Sequence, residues 1–454
     1  MEHFVKEKKP NARETALFIL NTLDRTHKTL DSILEDILEA NELSRRDRAL
    51  VHALVYGVLR WRGHLNWLIG RFSRTPLNRI EPRILNILRL GLFQIVYLDK
   101  IPVSAAVNTS VEMAKTFAAP WVLRFVNALL RNAAREYEKV SFPDADKDPL
   151  YAMSVEKSFP KWLIERWAER FGIEETGKLC DAVNAVPPIT VRANTLKTSR
   201  DGLIKAIGED AGQIRMTSCS ADGISFFNPK TAIPEMKAFK EGWFQVQDEA
   251  AQCVTLLLDP QPGESVLDAC AGLGGKTGHI AQQMKNQGHI VAADHDERKL
   301  SRLKSEMERL GVSIVTTCIH DLNNHFNSHS SLITSHLNGF DRVLLDAPCS
   351  GLGVLRRNPD AKWSVSKKDL ARCRERQIRF MNNLAGLVKF SGVFVYAVCS
   401  TEPEENEEVI RAFLEKHPEF ETESEPLKTF PHIDNMDGFF SVRMRKRELT
   451  ADER

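Results

Sequence analysis

Two cysteines of this 454-residue chain sit in closely similar settings. "DAPCSG" carries Cys349 and "YAVCST" carries Cys399, each directly after an apolar run that reads as a strand. A cysteine in such a place is most often a small buried hydrophobe. Two of them at the ends of two strands of one sheet suggest chemistry, because a thiolate is a strong nucleophile. A third stretch, "LDACAGLGGKTGHIA" (Leu267–Ala281), ends like a phosphate-binding loop. The pattern G-x-x-x-x-G-K-[ST] would need a glycine at position 270, where the chain has Cys270. The alternative is a loop for S-adenosylmethionine, in which Gly272, Gly274 and Gly275 let the backbone approach the cofactor. Asp294, in "AADHD" about twenty residues further on, then stands where an acid binds ribose hydroxyls. Alone, Asp294 reads as a helix N-cap; with the glycines before it, cofactor binding is the better reading.

Thiols beside a methyl donor suit methylation of a pyrimidine at C5. That ring carbon is a poor nucleophile until a thiolate adds to C6 and makes C5 enamine-like. One cysteine supplies the thiolate, and a second ionisable group assists release. Positive charge must lower the nucleophile's pKa, for which Lys276 and the cofactor's sulfonium are candidates. The base must be unpaired or flipped, because C6 is unreachable in a stack.

Strands that alternate with helices from residue 241 onward must position these residues. "ESVLDAC", "GHIVAADHD", "FDRVLLDAP" and "GVFVYAVCS" read as strands, with helical segments such as "ERKLSRLKSEMERLG" between them. This predicts a parallel, doubly wound sheet with its site at the carboxyl strand ends, where Asp268, Asp294, Asp346, Cys349 and Cys399 all fall. "NNHFNSHSSLITSHLNG" reads as an exposed loop. Residues 1–140 are helical in pattern; Ser44 is a cap with Asp47 three residues on. Residues 150–240 read as a small α+β module. Trp162 and Trp167 there are at helical spacing and more often core than base-stacking platforms. The predicted organisation is thus multidomain: an all-α N-terminal domain (1–140), a small α+β module (150–240) and an α/β Rossmann-like domain (241–447).

Bulk properties narrow the class. Length alone predicts several domains. Net charge is +1, but residues 1–140 hold 22 Lys+Arg against 15 Asp+Glu, which suggests an anionic partner for that part. Between Arg45 and Arg89 there are ten Arg and no Lys, a bias that fits nucleic acid; the alternative is a solvated helix surface. The eight cysteines show neither CxxC nor Cys/His spacing, so no metal site or disulfide framework is expected. With no secretory signal and no apolar run near the ~20 residues of a membrane span, a reducing cytoplasm is the expected location and no membrane partner is expected.

"DACAGLGGK", "DAPCSGLGVLRRNPDAKW", "YAVCSTEPEENEEVI" and "DGFFSVRMRK" closely resemble the RNA cytosine-5 methyltransferases of the Nop2/Sun type, over roughly residues 150–450. "RFVNALLRN" and "IPVSAAVNTSVEMAK" make the helical part similar to the RNA-binding NusB fold. The combination is similar to bacterial enzymes that methylate 16S ribosomal RNA. The resemblance implies an RRM-like middle module, S-adenosylmethionine as cofactor, unassembled ribosomal RNA as substrate and a monomer. It implies a cofactor loop of Cys270, Ala271, Gly272, Leu273, Gly274, Gly275 and Lys276, with Asp294 at the ribose, Asp321 near the adenine and Asp346 between cofactor and base. It makes Cys399 the nucleophile and Cys349 the residue that assists product release. Arg192 and Asn194 in "PITVRANTLK", with Arg356 and Arg357, become the expected RNA contacts. Three positions depart from the family pattern: Leu273 replaces a proline, Val398 a threonine beside the nucleophile, and Asn358 a histidine. The rival expectations are the same chemistry on transfer RNA and a non-catalytic RNA-binding assembly factor, for which neither cysteine would be needed.

Overall fold

The computed structural model describes residues 11–26, 28–40, 43–325 and 339–448. Most of the exposed loop expected at "NNHFNSHSSLITSHLNG" lies outside them. The chain divides into two compact units, residues 1–184 with 358–364, and residues 185–357 with 365–454.

The first unit is helical, as the apolar periodicity predicts. Its core is the buried face of successive helices, among them Ala12–Arg25, Arg45–Arg60, Pro82–Tyr97 and Pro120–Glu136. Ser44 caps the second of these by accepting from the Asp47 N–H at 3.1 Å. Part of the arginine bias serves this interior. Arg89 is buried and donates to Asn66 and Asn86, and Arg60 is buried as well. Trp167 is core, edge-on to Phe159. Three further helices, between Pro149 and Asn184, complete the chain's first run through this unit. Residues 358–364 join it much later in sequence. Lys362 is fully buried there and donates to Asn184 Oδ1 at 2.6 Å and Arg60 O at 3.2 Å, while the Trp363 indole donates to Leu59 O at 2.6 Å. These bonds satisfy carbonyls that the helix end leaves unpaired.

The second unit holds two sheets. The smaller is antiparallel, with β1 (Ile189–Ala193), β2 (Ile214–Met216), β3 (Gly223–Phe226) and β4 (Phe244–Val246) in the order β2-β3-β1-β4. Helix Arg200–Ala211 follows β1 and a short helix, Lys237–Lys240, precedes β4, which makes a β-α-β-β-α-β module.

The larger sheet is built from β5 (Ser265–Asp268), β6 (His289–Asp294), β7 (Val315–Ile319), β8 (Phe340–Asp346), β9 (Val388–Val398), β10 (Phe420–Thr422), β11 (Leu427–Thr429) and β12 (Phe439–Lys446). Its order is β10-β12-β9-β8-β5-β6-β7 with β11 on β12. β5 to β9 pair in parallel; β12 runs antiparallel to β9 and closes the sheet as a mixed one. The parallel strands are apolar on both faces because helices cover both. Along β9, Phe394, Tyr396 and Val398 enter one core and Val393, Val395 and Ala397 the other. Strand order reverses between β5 and β8, so the carboxyl ends of these two strands border a crevice.

Candidate active site

The turn after β5 carries the glycine loop. Gly272 has φ +55°, and a Cβ added there would meet nothing within 4 Å, so the backbone faces open space on that side. The Gly272 N–H donates to Asp294 Oδ2 at 3.0 Å, and Asp294 Oδ1 accepts from the Asp296 N–H at 2.9 Å. Asp294 therefore fixes the glycine turn from the end of β6, while Asp296, not Asp294, caps the following helix. Asp321 lies exposed just beyond β7; its carboxylate accepts from the Asn323 backbone and side chain, which holds it below its ordinary pKa. Leu273, where a proline was expected, is 53% exposed at the outside of the turn.

Both residues that imitate a phosphate-binding loop are committed elsewhere. The Lys276 ammonium sits 2.5 Å from Asp346 Oδ2 at the end of β8. The Thr277 hydroxyl donates to Asp268 Oδ2 at 2.7 Å. Burial pushes the Asp268 carboxyl up to about 6, against the opposing pull of Thr277 and Lys276, and its other oxygen has no protein partner. Burial would lower Lys276, yet Asp346, Asp268 and Cys399 together raise its pKa, so it stays a cation. Cys270 is a protonated thiol: burial and then Asp294, Asp346 and Asp268 drive its pKa well up.

Cys349 and Cys399 follow neighbouring parallel strands, and their sulfurs lie 3.2 Å apart. The hydrogen bond to Cys399, burial and the Glu405 charge all push the Cys349 thiol well up. Either sulfur can donate in the S–H···S contact. The two loops are sewn together by the Gly353 N–H to Cys399 O at 3.0 Å and the Gly438 N–H to Gly353 O at 2.8 Å. A Cβ on Gly353 would overlap the Gly438 carbonyl, so only glycine allows this approach.

A profile described as 16S rRNA methyltransferase RsmB/F matches residues 255–445, one of the NusB family residues 10–135, and a ferredoxin-like domain of RsmF/B-type methyltransferases residues 159–232. The probable ribosomal RNA small subunit methyltransferase B of Bacillus subtilis is 35% identical to this chain, covering 97% of it and 100% of its own length. Its counterpart in a Synechocystis species is 34% identical, with 96% and 99% covered. The chain belongs to the RsmB/F family of methyltransferases. The crystal structure of PH0851 superposes with a TM-score of 0.80 at 26% identity, covering 97% of this chain and all of that one.

For this member of the RsmB/F family, the geometry corrects the expected RNA contacts. Arg192 and Asn194 are fully buried. Arg192 donates to Gln282 Oε1 at 3.0 Å, to Gln245 Oε1 at 2.8 Å and to Gln247, which joins β1 and β4 to the helix after the glycine loop. Asn194 donates to Gly242 O at 2.7 Å and Leu310 O at 2.8 Å. Arg356 and Arg357 share Asp437 and Asp248, and Arg357 also donates to Pro188 O. Arg192, Asn194 and Arg356 are buried and so present no face to RNA, while Arg357 spends its nitrogens on Asp437, Asp248 and Pro188 O with its side chain 30% exposed. All four are staples within the second unit. Asp248 also caps helix Glu249–Leu258, accepting from the Ala250 N–H at 3.0 Å.

Sequence reasoning assigned no role to Glu405, Ser350, Ser400 or Gln377, which form the floor beneath the cysteines. Glu405 is fully buried and accepts from the Ser350 N–H at 2.8 Å, both serine hydroxyls at 2.5 Å and Gln377 Nε2 at 3.2 Å. The signal was the "EENE" run of "CSTEPEENE", which carried the family resemblance without a physical reason.

Proposed function

We propose that this protein methylates C5 of a cytosine in 16S ribosomal RNA, with S-adenosylmethionine as methyl donor and a covalent link between Cys399 and C6 of the base. The observation that carries the reading is the pair of sulfurs 3.2 Å apart at neighbouring strand ends, beside the Lys276–Asp346 ion pair. A binding module needs no such pair.

The residues present fit the donor. The open space before Gly272, the carboxylate of Asp294 at the end of β6 and Asp321 beyond β7 would hold its backbone-facing, ribose and adenine portions. When bound, S-adenosylmethionine supplies an electrophilic methyl group. The Cys399 thiolate adds to C6, forming a C–S bond and moving an electron pair toward C5. Lys276 is a cation whose charge interacts with that sulfur, and Asp346 fixes its ammonium. Low dielectric in the crevice strengthens both effects. C5 then takes the methyl group, and its proton passes to a water acting as base. The C–S bond breaks with its electron pair returning to the Cys399 sulfur, and Cys349 beside it assists this last stage. Because C6 must be exposed, the target cytosine is single-stranded or flipped.

The two thiols are expected to behave oppositely. Cys349→Ser incubated with 16S RNA and the methyl donor accumulates a protein–RNA complex that survives a denaturing gel. Cys399→Ser gives none. Accumulation with Cys399→Ser would reverse the roles, and absence of a complex with either variant removes the covalent route.

A further inference from the structure

The cysteine pair is chemically symmetrical as written: two thiols, each followed by serine, each ending a parallel strand. The structure breaks that symmetry with one carboxylate. Glu405 lies in the short 3-10 turn Pro403–Glu405, where the Tyr396 hydroxyl anchors its carbonyl at 2.7 Å. Its side chain accepts from Ser350, the residue after Cys349, through both N–H and hydroxyl, and from the hydroxyl of Ser400, the residue after Cys399. The fourth donor, Gln377, also donates to Pro348 O at 3.1 Å, immediately before Cys349. All four of these donors are neutral; the Arg376 guanidinium, which donates to Pro348 O at 3.1 Å, is a cation on the same loop but makes no hydrogen bond to Glu405. The Lys276 ammonium, held by Asp346, interacts electrostatically with Cys399.

We propose that Glu405 is the positioning residue of the cysteine pair: its buried carboxylate clamps the two loops at sulfur contact and makes Cys349 the proton donor to Cys399. A negative charge bonded to the Cys349 loop disfavours a second negative charge on that sulfur. The thiolate is thereby directed to Cys399, whose charge interacts with the Lys276 ammonium. Cys349 faces Cys399, Glu405 and Tyr396 and takes a bond from the Gly351 N–H, and the Arg376 guanidinium sits on the Pro348 carbonyl beside it; Cys399 faces Cys349 and Lys276. Glu405 touches neither base nor methyl donor and acts only through the two loops. The inference rests on the proposed covalent route for its catalytic meaning, but the asymmetry itself is a property of the protein alone.

The test is therefore made without RNA. The full-length protein is treated with iodoacetamide at about neutral pH, and alkylation of each cysteine is followed by peptide mass spectrometry. In the wild type Cys399 is expected to react at least about tenfold faster than Cys349, since the thiolate is the reacting form. In Glu405→Gln, which keeps the size and removes the charge, the preference should shrink to within about threefold. Methylation kcat should fall by about 30-fold or more with the KM for RNA little changed, because binding is untouched. An unchanged alkylation preference in Glu405→Gln overturns the proposal, as does a wild type in which Cys349 reacts first. Should Glu405→Gln fail to fold, the double variant Ser350→Ala/Ser400→Ala removes two of the clamp's donors and is read in the same way; unchanged preference there overturns it too. Loss of the preference in a protein that methylates no cytosine would leave the clamp standing and remove the proposed function instead.

Discussion

At the scale of single residues, the site is a set of charges that hold one another in place. Asp268, Asp294 and Asp346 end three strands, and the Lys276 ammonium reaches in among them. Asp268 bears the cost: with its pKa about 6 against an ordinary 3.8, ionising it in the fold is unfavourable. A folded pKa above the unfolded one means its stabilising contribution is full below about pH 4 and is lost as pH rises through about 6. Asp268→Asn, which still accepts from Thr277, should raise stability at about pH 7.5 by up to about 3 kcal/mol, and the gain should vanish near pH 4. Thermal unfolding at the two pH values checks this; an equal gain at both would mean the charge is not the cause. The same crowding explains what was legible here. The carboxylates and cysteines were readable because they stand at strand ends. Their pairing, Lys276 with Asp346 and Thr277 with Asp268, was not, because it depends on how the turn folds back.

At the scale of elements, the alternation of strands and helices predicted a parallel doubly wound sheet. β5 to β9 pair in that way, while β12, with β10 and β11 on it, runs antiparallel and makes the sheet mixed, because the C-terminal segment returns to the sheet edge instead of crossing over. Side-chain direction was beyond the reach of that alternation. Arg192 lies on a strand whose neighbours in the sheet are glycine and glutamine, Gly223 and Gln245, a pairing that no local pattern announces. Its guanidinium therefore turns inward to three glutamines instead of outward to phosphate. Arg192→Ala leaves those amides unpaired and a void beside them, at a cost of about 3 kcal/mol. The expected outcome is a lowered thermal midpoint. Phosphate contact would instead raise the KM for RNA at unchanged midpoint.

At the scale of the whole molecule, neighbours in sequence are not always partners in space. Residues 358–364 lie within the range expected for the α/β domain, yet they group with the N-terminal helices. Lys362 and Trp363 cap the end of helix Arg45–Arg60, a destination about 300 residues back along the chain that local sequence patterns do not mark. Trp363→Ala in the full chain should therefore destabilise the helical unit by about 3 kcal/mol, seen as faster hydrogen exchange at residues 45–72. Protection unchanged there would show that the indole bond contributes nothing. Among the described residues no helix is long and apolar enough to cross a membrane, and no three His, Cys, Asp or Glu side chains are grouped to hold a metal ion. The central claim is a reaction on ribosomal RNA, and bisulfite sequencing of 16S RNA from cells with and without the protein tests it most directly. One cytosine that resists bisulfite in normal cells should convert in cells lacking the protein and regain resistance with the wild-type chain but not with Cys399→Ser. Unchanged resistance at every 16S cytosine, or loss confined to transfer RNA, would contradict it.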